Sequence, residues 1–235
     1  MIILNLSNAL PSVVTALSKS LDPNAPQKVE TLLQMMEDLY QQDVEKGLTV
    51  SSLLKPNIRT YTAAISSWGH SKDPTKPQRA LRILKKCIDE HKKTGSKDMK
   101  PTLYAYNCCI SACSNLGGAT FEQQAQALKI AFSVNKAIAA ASLEANHFTY
   151  ATLLKVVTNL MATGTERDTV AEALFVKCSK TGYVDVGVLK NLRLAASNSL
   201  YHRLLNNVTD KNGFLNVDDI PKEWSRKVHT MNNNG

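Results

Sequence analysis

Lys55-Pro56-Asn57-Ile58-Arg59-Thr60-Tyr61-Thr62 returns as Lys100-Pro101-Thr102-Leu103-Tyr104-Ala105-Tyr106-Asn107, and again, worn, as Glu144-Ala145-Asn146-His147-Phe148-Thr149-Tyr150-Ala151. Pro56 and Pro101 are 45 residues apart, and Ala145 follows 44 after Pro101. A period of that size means stacked supersecondary units rather than one closed globule. A second phrase extends the pattern backwards. Asp22-Pro23-Asn24-Ala25-Pro26-Gln27-Lys28 matches Asp73-Pro74-Thr75-Lys76-Pro77-Gln78-Arg79, 51 residues later. Both end where an apolar helical pattern begins, and proline suits a first helical turn because its missing N–H has no partner there.

Each unit therefore reads as helix, short turn with prolines, second helix, loop. In the first helices Tyr61, Ile65 and Trp68 fall at i, i+4, i+7, as do Tyr106, Ile110 and Cys113, and Tyr150, Leu154 and Val157. That spacing is one face of a 3.6-residue helix. The second helices align as Val29, Leu32, Leu33; Ala80, Ile83, Leu84; Ala127, Ile130, Ala131; and Ala171, Leu174, Phe175. Small residues such as Ala63, Ala64, Ala80 and Ala127 allow close helix crossings. No segment alternates apolar and polar residues long enough for a sheet. The expected fold is all-α, a right-handed superhelical solenoid of helix-turn-helix repeats. Its expected divisions are a degenerate N-terminal repeat at 1–57, repeats at 58–102 and 103–146, a degenerate repeat at 147–185, and capping helices with a tail at 186–235. Residues 230–235 are expected to be disordered. The first unit begins abruptly, which suggests a processed chain or a piece of a longer reading frame.

The 235 residues carry a formal net charge of +8 and an isoelectric point near 9.2. The excess is local: between Lys72 and Lys100 stand ten Lys or Arg against four acids. Such a stretch is a solvated helix face or a patch for a polyanion. Five cysteines (Cys87, Cys108, Cys109, Cys113, Cys178) have no disulfide-like layout and point to a reducing compartment. Cys109 and Cys113 have a metal-compatible spacing, but Cys113 takes the place of Trp68 in the alignment and reads as core. Cys87 and His91 also share helical spacing, without further ligands nearby. Asp210-Lys211-Asn212-Gly213-Phe214 opens like a calcium loop, yet Leu215 and Pro221 stand where glycine and glutamate are needed, so it reads as a turn. No nucleophile motif, phosphate-binding glycine loop or metallonuclease carboxylate cluster is present in the sequence, which argues against an enzyme, a cofactor or a metal. No transmembrane stretch, signal sequence or Arg-rich transit peptide is visible.

The repeated phrase, Pro-Asn, two residues, Thr-Tyr, a small polar residue and then an amphipathic helix pair, resembles the pentatricopeptide repeat. The match is carried by Pro56–Thr62 and Pro101–Asn107, and it covers roughly residues 5–230, most strongly 55–155. The Asp-Pro-x-x-Pro-Gln turn and Ile220-Pro221-Lys222-Glu223-Trp224-Ser225-Arg226 are similar to repeat proteins of algae such as diatoms. The family unit is about 35 residues; here the surplus sits at 72–76, 116–122 and 92–100. The resemblance implies binding of single-stranded RNA, one base per repeat, by a monomer in a mitochondrion or chloroplast, in RNA processing, stability or translation, with a processing nuclease as a possible protein partner.

Carried over by position, the family's base-reading pairs are Thr62 with Thr102, Asn107 with Asn146, Ala151 with Asp185, and Pro11 with Asn57. Asn offers a donor and an acceptor, so Asn107 with Asn146 addresses a Watson–Crick edge, by family habit that of a pyrimidine. Pro11 and Ala151 have no polar side chain. Just before the Thr-Tyr pair, where the family sandwiches bases, stand Arg59, Tyr104 and Phe148. All three stack on bases with little sequence preference, or else pack on the neighbouring repeat. The alternative function is a protein–protein interaction scaffold, since related helical repeats hold peptides on the same surface. A membrane-surface role would need an amphipathic helix with a strong apolar edge, which is missing.

Overall fold

The computed structural model describes residues 2–47, 55–205 and 220–232; the turn read at 210–214 lies outside them. The described residues form eleven α-helices and no strand. They are α1 (Ile2–Ser18), α2 (Ala25–Glu45), α3 (Ile58–His70), α4 (Lys76–Thr94), α5 (Leu103–Ala112), α6 (Phe121–Ala140), α7 (His147–Leu160), α8 (Thr165–Thr181), α9 (Val186–Ala195), α10 (Asn198–Leu205) and α11 (Lys222–Asn232), with a single 3-10 turn at Lys97–Met99. Helix α11 runs through residues 230–232, where a disordered tail was expected. The chain divides into two compact units, Met1–Gln123 and Gln124–Gly235.

The repeated phrases are helix-start signals. Asn57 caps α3: its side chain accepts from the backbone N–H of Arg59 at 2.9 Å and Thr60 at 3.2 Å, and Thr60 Oγ1 accepts from the Asn57 N–H at 2.9 Å. Asn146 and Thr149 repeat this reciprocal box at α7. Two orphan donors are satisfied at each helix start. Asp185 caps α9 through the Val188 N–H at 2.7 Å. Thr102 stands in the same place at α5 without a side-chain cap bond. In the second phrase the aspartates fold the turn: Asp22 Oδ1 accepts from the Asn24 N–H at 2.8 Å and Asp73 Oδ1 from the Thr75 N–H at 2.7 Å. Pro26 and Pro77 then occupy the first turns of α2 and α4.

In the first unit α3 packs against α1, α2, α4 and α5. The expected faces are the buried ones. Tyr61, Ile65 and Trp68 of α3, Tyr106, Ile110 and Cys113 at α5, and Ala80, Ile83 and Leu84 of α4 are all buried. On α2 Val29 and Leu33 are buried, while Leu32 is half-buried. Two glutamates of α2 tie three helices together. Glu30 accepts from the Trp68 indole N–H at 3.0 Å and pairs with Arg82; Glu37 accepts from the Tyr61 hydroxyl and pairs with Lys86.

In the second unit α7 packs on α8 and α9, and α8 also meets α9, α10 and α11. Tyr150, Leu154 and Val157 are buried, as are Ala171, Leu174 and Phe175. Arg203 of α10 holds Glu172 of α8 with two bonds of 2.9 and 2.8 Å. Helix α11 returns to the end of α8: the Val184 N–H donates to the Trp224 carbonyl at 2.8 Å, and Trp224 meets Phe175 edge-on at 5.5 Å.

Candidate nucleic-acid interface

Helix α3 buries one face in the core and leaves another beside α1 and α5. Along that second face Ile58, Arg59, Thr62, Ala63, Ser66 and His70 line a groove of about 680 Å³. Thr15, Ser18 and Lys19 of the α1 end and Thr102 and Tyr104 of the α5 start complete it. Four of the sequence-expected binding residues, Arg59, Thr62, Thr102 and Tyr104, are thus brought together in one groove.

Their side chains are differently disposed. Tyr104 is 62% exposed. Its phenol lies against the Cys108 thiol one turn on, which together with partial desolvation pushes its pKa above the ordinary value. Arg59 is exposed and makes no ion pair among the described residues. Thr62 is buried and its hydroxyl donates back to the Ile58 carbonyl at 2.6 Å. Asn107 is only 3% exposed and does not line the groove.

Of the remaining expected residues, Phe148 is 47% exposed in the first turn of α7. Asn146 and Asp185 are at work as helix caps. A base reader must present its amide or carboxylate to the ligand. Here Asn107 is buried, and Asn146 Oδ1 and Asp185 Oδ1 accept from backbone N–H groups. Arg59, Thr102, Tyr104 and Phe148 are the expected residues whose side chains are exposed.

Two smaller depressions meet the groove at Arg59. One, about 460 Å³, is lined by Pro11, Ser12, Thr15, Lys19, Asn57 and Arg59, among others. Pro11 and Asn57 therefore lie together. The other, about 410 Å³, is lined by Lys55, Pro56, Asn57, Ile58, Arg59, Lys97 and Asp98.

The basic stretch 72–100 does not face the groove. Lys76 is buried, its ammonium donating to the Ser71 carbonyl at 2.9 Å. Arg82 and Lys86 pair with the α2 glutamates. Arg79 stands over the Trp68 ring at 5.6 Å. Lys85, Lys92 and Lys93 are exposed on α4, opposite its buried face.

The thiols are core. All five cysteines are free and buried. Burial pushes Cys87 and Cys113 up to about 12, and also raises Cys108, Cys109 and Cys178. Such thiols are poor nucleophiles and poor ligands. Cys87 donates to the Met99 carbonyl and His91 Nδ1 lies 2.9 Å from the Ser96 carbonyl, so both hold the loop after α4. Among the described residues no three His, Cys, Asp or Glu stand together as a metal site, and no helix is long and apolar enough to cross a membrane.

Sequence reading missed the α1 contribution, Thr15, Ser18 and Lys19. The first two sit in an apolar helix that carries no repeated phrase. The α3 residues Ala63, Ser66 and His70 were within reach, because they continue the Arg59 face at helical spacing.

Compared with known proteins, the chain matches no family model, no curated protein and no solved structure.

Proposed function

We propose that the chain is a pentatricopeptide-like repeat protein, a right-handed solenoid that binds single-stranded RNA through its first helices. One observation carries the reading: the groove beside α3 offers a 62% exposed Tyr104 ring and an exposed Arg59 guanidinium that makes no ion pair among the described residues. Flat faces of this kind stack on unpaired bases of any identity, at about 1–3 kcal/mol per base. Phe148 supplies a similar face in the second unit. The burial of Asn107 and Thr62 favours sequence-tolerant binding over base-by-base reading. By the family resemblance the role is organellar RNA processing, stability or translation, in a mitochondrion or chloroplast.

A peptide-binding scaffold is the second reading. The same burial favours it, because a groove with Ile58, Ala63 and the Tyr104 ring on its walls also suits an apolar side chain. Binding to a random single-stranded RNA pool, set against double-stranded RNA at two salt concentrations, separates the two. Preference for single strands that survives the higher salt, with a loss of about 5- to 150-fold on Tyr104→Ala, supports RNA. Binding that vanishes with salt and ignores Tyr104→Ala leaves only a basic surface and favours the scaffold.

A further inference from the structure

Three cations from three separate segments converge on the depression at the start of α3: Lys55 before the helix, Arg59 on it, and Lys97 in the 3-10 turn after α4. Asp98 is the acid in its lining, so the depression carries an excess of two positive charges. None of the three cations forms an ion pair with a described residue; the Lys55 ammonium stands over the Tyr40 ring of α2 at 5.8 Å and would swing from it to meet an anion here. Residues 48–54, which precede Lys55 in the sequence, include no aspartate or glutamate. Lys28, Arg82 and Lys86 of the same unit each have a carboxylate, whereas Lys85, Lys92 and Lys93 are exposed without one but are not gathered in one concavity with an arginine. Like charges gathered in one concavity repel one another unless an anion sits between them. The helix terminus is not the basis of the site, since Asn57 already takes the Arg59 and Thr60 N–H groups.

We infer that this depression is a phosphate subsite, which holds a phosphate of the strand whose base lies on Tyr104 and Arg59. The inference rests on the RNA reading above for its ligand. Arg59 lines both the groove and the depression, so one guanidinium faces the base on one side and the phosphate on the other. Guanidinium suits both tasks, being planar for stacking and forked for phosphate oxygens. Lys55 and Lys97 act as point charges. The chemistry recognised is a phosphate, either an internal phosphodiester or a 5′-terminal monophosphate.

The test uses the full chain with Lys55→Gln, Lys97→Gln and the double variant. Single-stranded RNA of mixed sequence is bound across a salt series, with and without a 5′-phosphate. Each single variant is expected to reduce the salt slope by about 0.7, the value of one phosphate contact on a single strand, and to weaken all sequences alike. An equal loss for both oligonucleotides assigns an internal phosphate; loss confined to the 5′-phosphorylated one assigns a terminal phosphate. A double variant with unchanged slope and affinity overturns the subsite.

A second arm does not depend on RNA. Acetylation of lysines is followed with and without inorganic pyrophosphate. Protection of Lys55 and Lys97, with exposed Lys85 and Lys92 as controls, supports the subsite even if single-stranded RNA is not the ligand. Protection of all four alike, or of none, overturns it.

Discussion

Trp68 on α3 donates its indole N–H to Glu30 on α2 at 3.0 Å, and Arg82 from α4 reaches the same carboxylate. Trp68 is 1% exposed, and Arg79 covers its ring from α4. One carboxylate thus joins three helices where the α3 core face ends. Trp68→Phe keeps most of the apolar surface but removes the donor and leaves a small void. A hydrogen bond to a partly buried charged group contributes about 1.5–3 kcal/mol, so the expected loss is about 2 kcal/mol. Urea unfolding followed by circular dichroism checks it; a loss below about 0.5 kcal/mol would show that Glu30 does not bind α3 to α2.

Buried thiols make the fold sensitive to base. Cys87 and Cys113 are held up to about 12 by burial, above the ordinary thiol value of 9. The unfolded chain releases those protons from about pH 9, while the folded chain keeps them. Their contribution is fully present below pH 9 and declines as pH rises towards 12. Buried Tyr61, raised by desolvation and by the Glu37 carboxylate, adds to the same trend. Denaturant midpoints should fall steadily from pH 9 to 11. In parallel, a thiol reagent at pH 8 should label none of the five cysteines until denaturant is added. Rapid labelling of the native chain would contradict the burial.

The buried faces of the first unit were legible because their period is strict: Tyr61, Ile65 and Trp68 keep the helical spacing that their burial requires. The repeated phrase was legible too, but its meaning was mixed. Asn57 with Thr60, and Asn146 with Thr149, recur because a helix start needs two partners for its free N–H groups. A pattern kept for capping reads in sequence like a pattern kept for ligand. Asn107 shows the converse. Its amide suits a base edge, but sequence spacing does not reveal that the side chain is 3% exposed. The groove walls from α1 were hidden because proximity between helices so far apart in sequence leaves no local signal.

Gly182 ends α8 with φ +83°, and a Cβ there would stand 2.6 Å from Arg226 Cγ. Arg226 in turn donates to the Lys180 carbonyl at 2.8 Å. Gly182→Ala therefore meets two penalties, a left-handed backbone and a clash that pushes Arg226 away from α8. Gly95 ends α4 with φ +64° and open space around it, so Gly95→Ala meets only the first, about 1 kcal/mol. Gly182→Ala should cost more than Gly95→Ala and should hasten protease cleavage within α11. Equal stabilities and equal cleavage would mean that α11 does not rest on this corner.

Asn146 separates the structural from the ligand-reading account of the repeated phrase. Its side chain accepts the Thr149 N–H at 3.1 Å, and Thr149 Oγ1 takes the Asn146 N–H at 3.2 Å. Losing such a cap costs about 1 kcal/mol, with a range of roughly 0.5–2. Asn146→Ala should lose that amount, while Asn146→Ser, which keeps a capping oxygen, should lose little. Thr102, at the matching position of α5 without a side-chain cap bond, should tolerate alanine with almost no change in stability. RNA selection by the same three variants then isolates the ligand role. If Asn146→Ser keeps stability and also keeps any base preference, the asparagine is there for the helix. If stability holds but the preferred base changes, the amide reads RNA as well as capping α7.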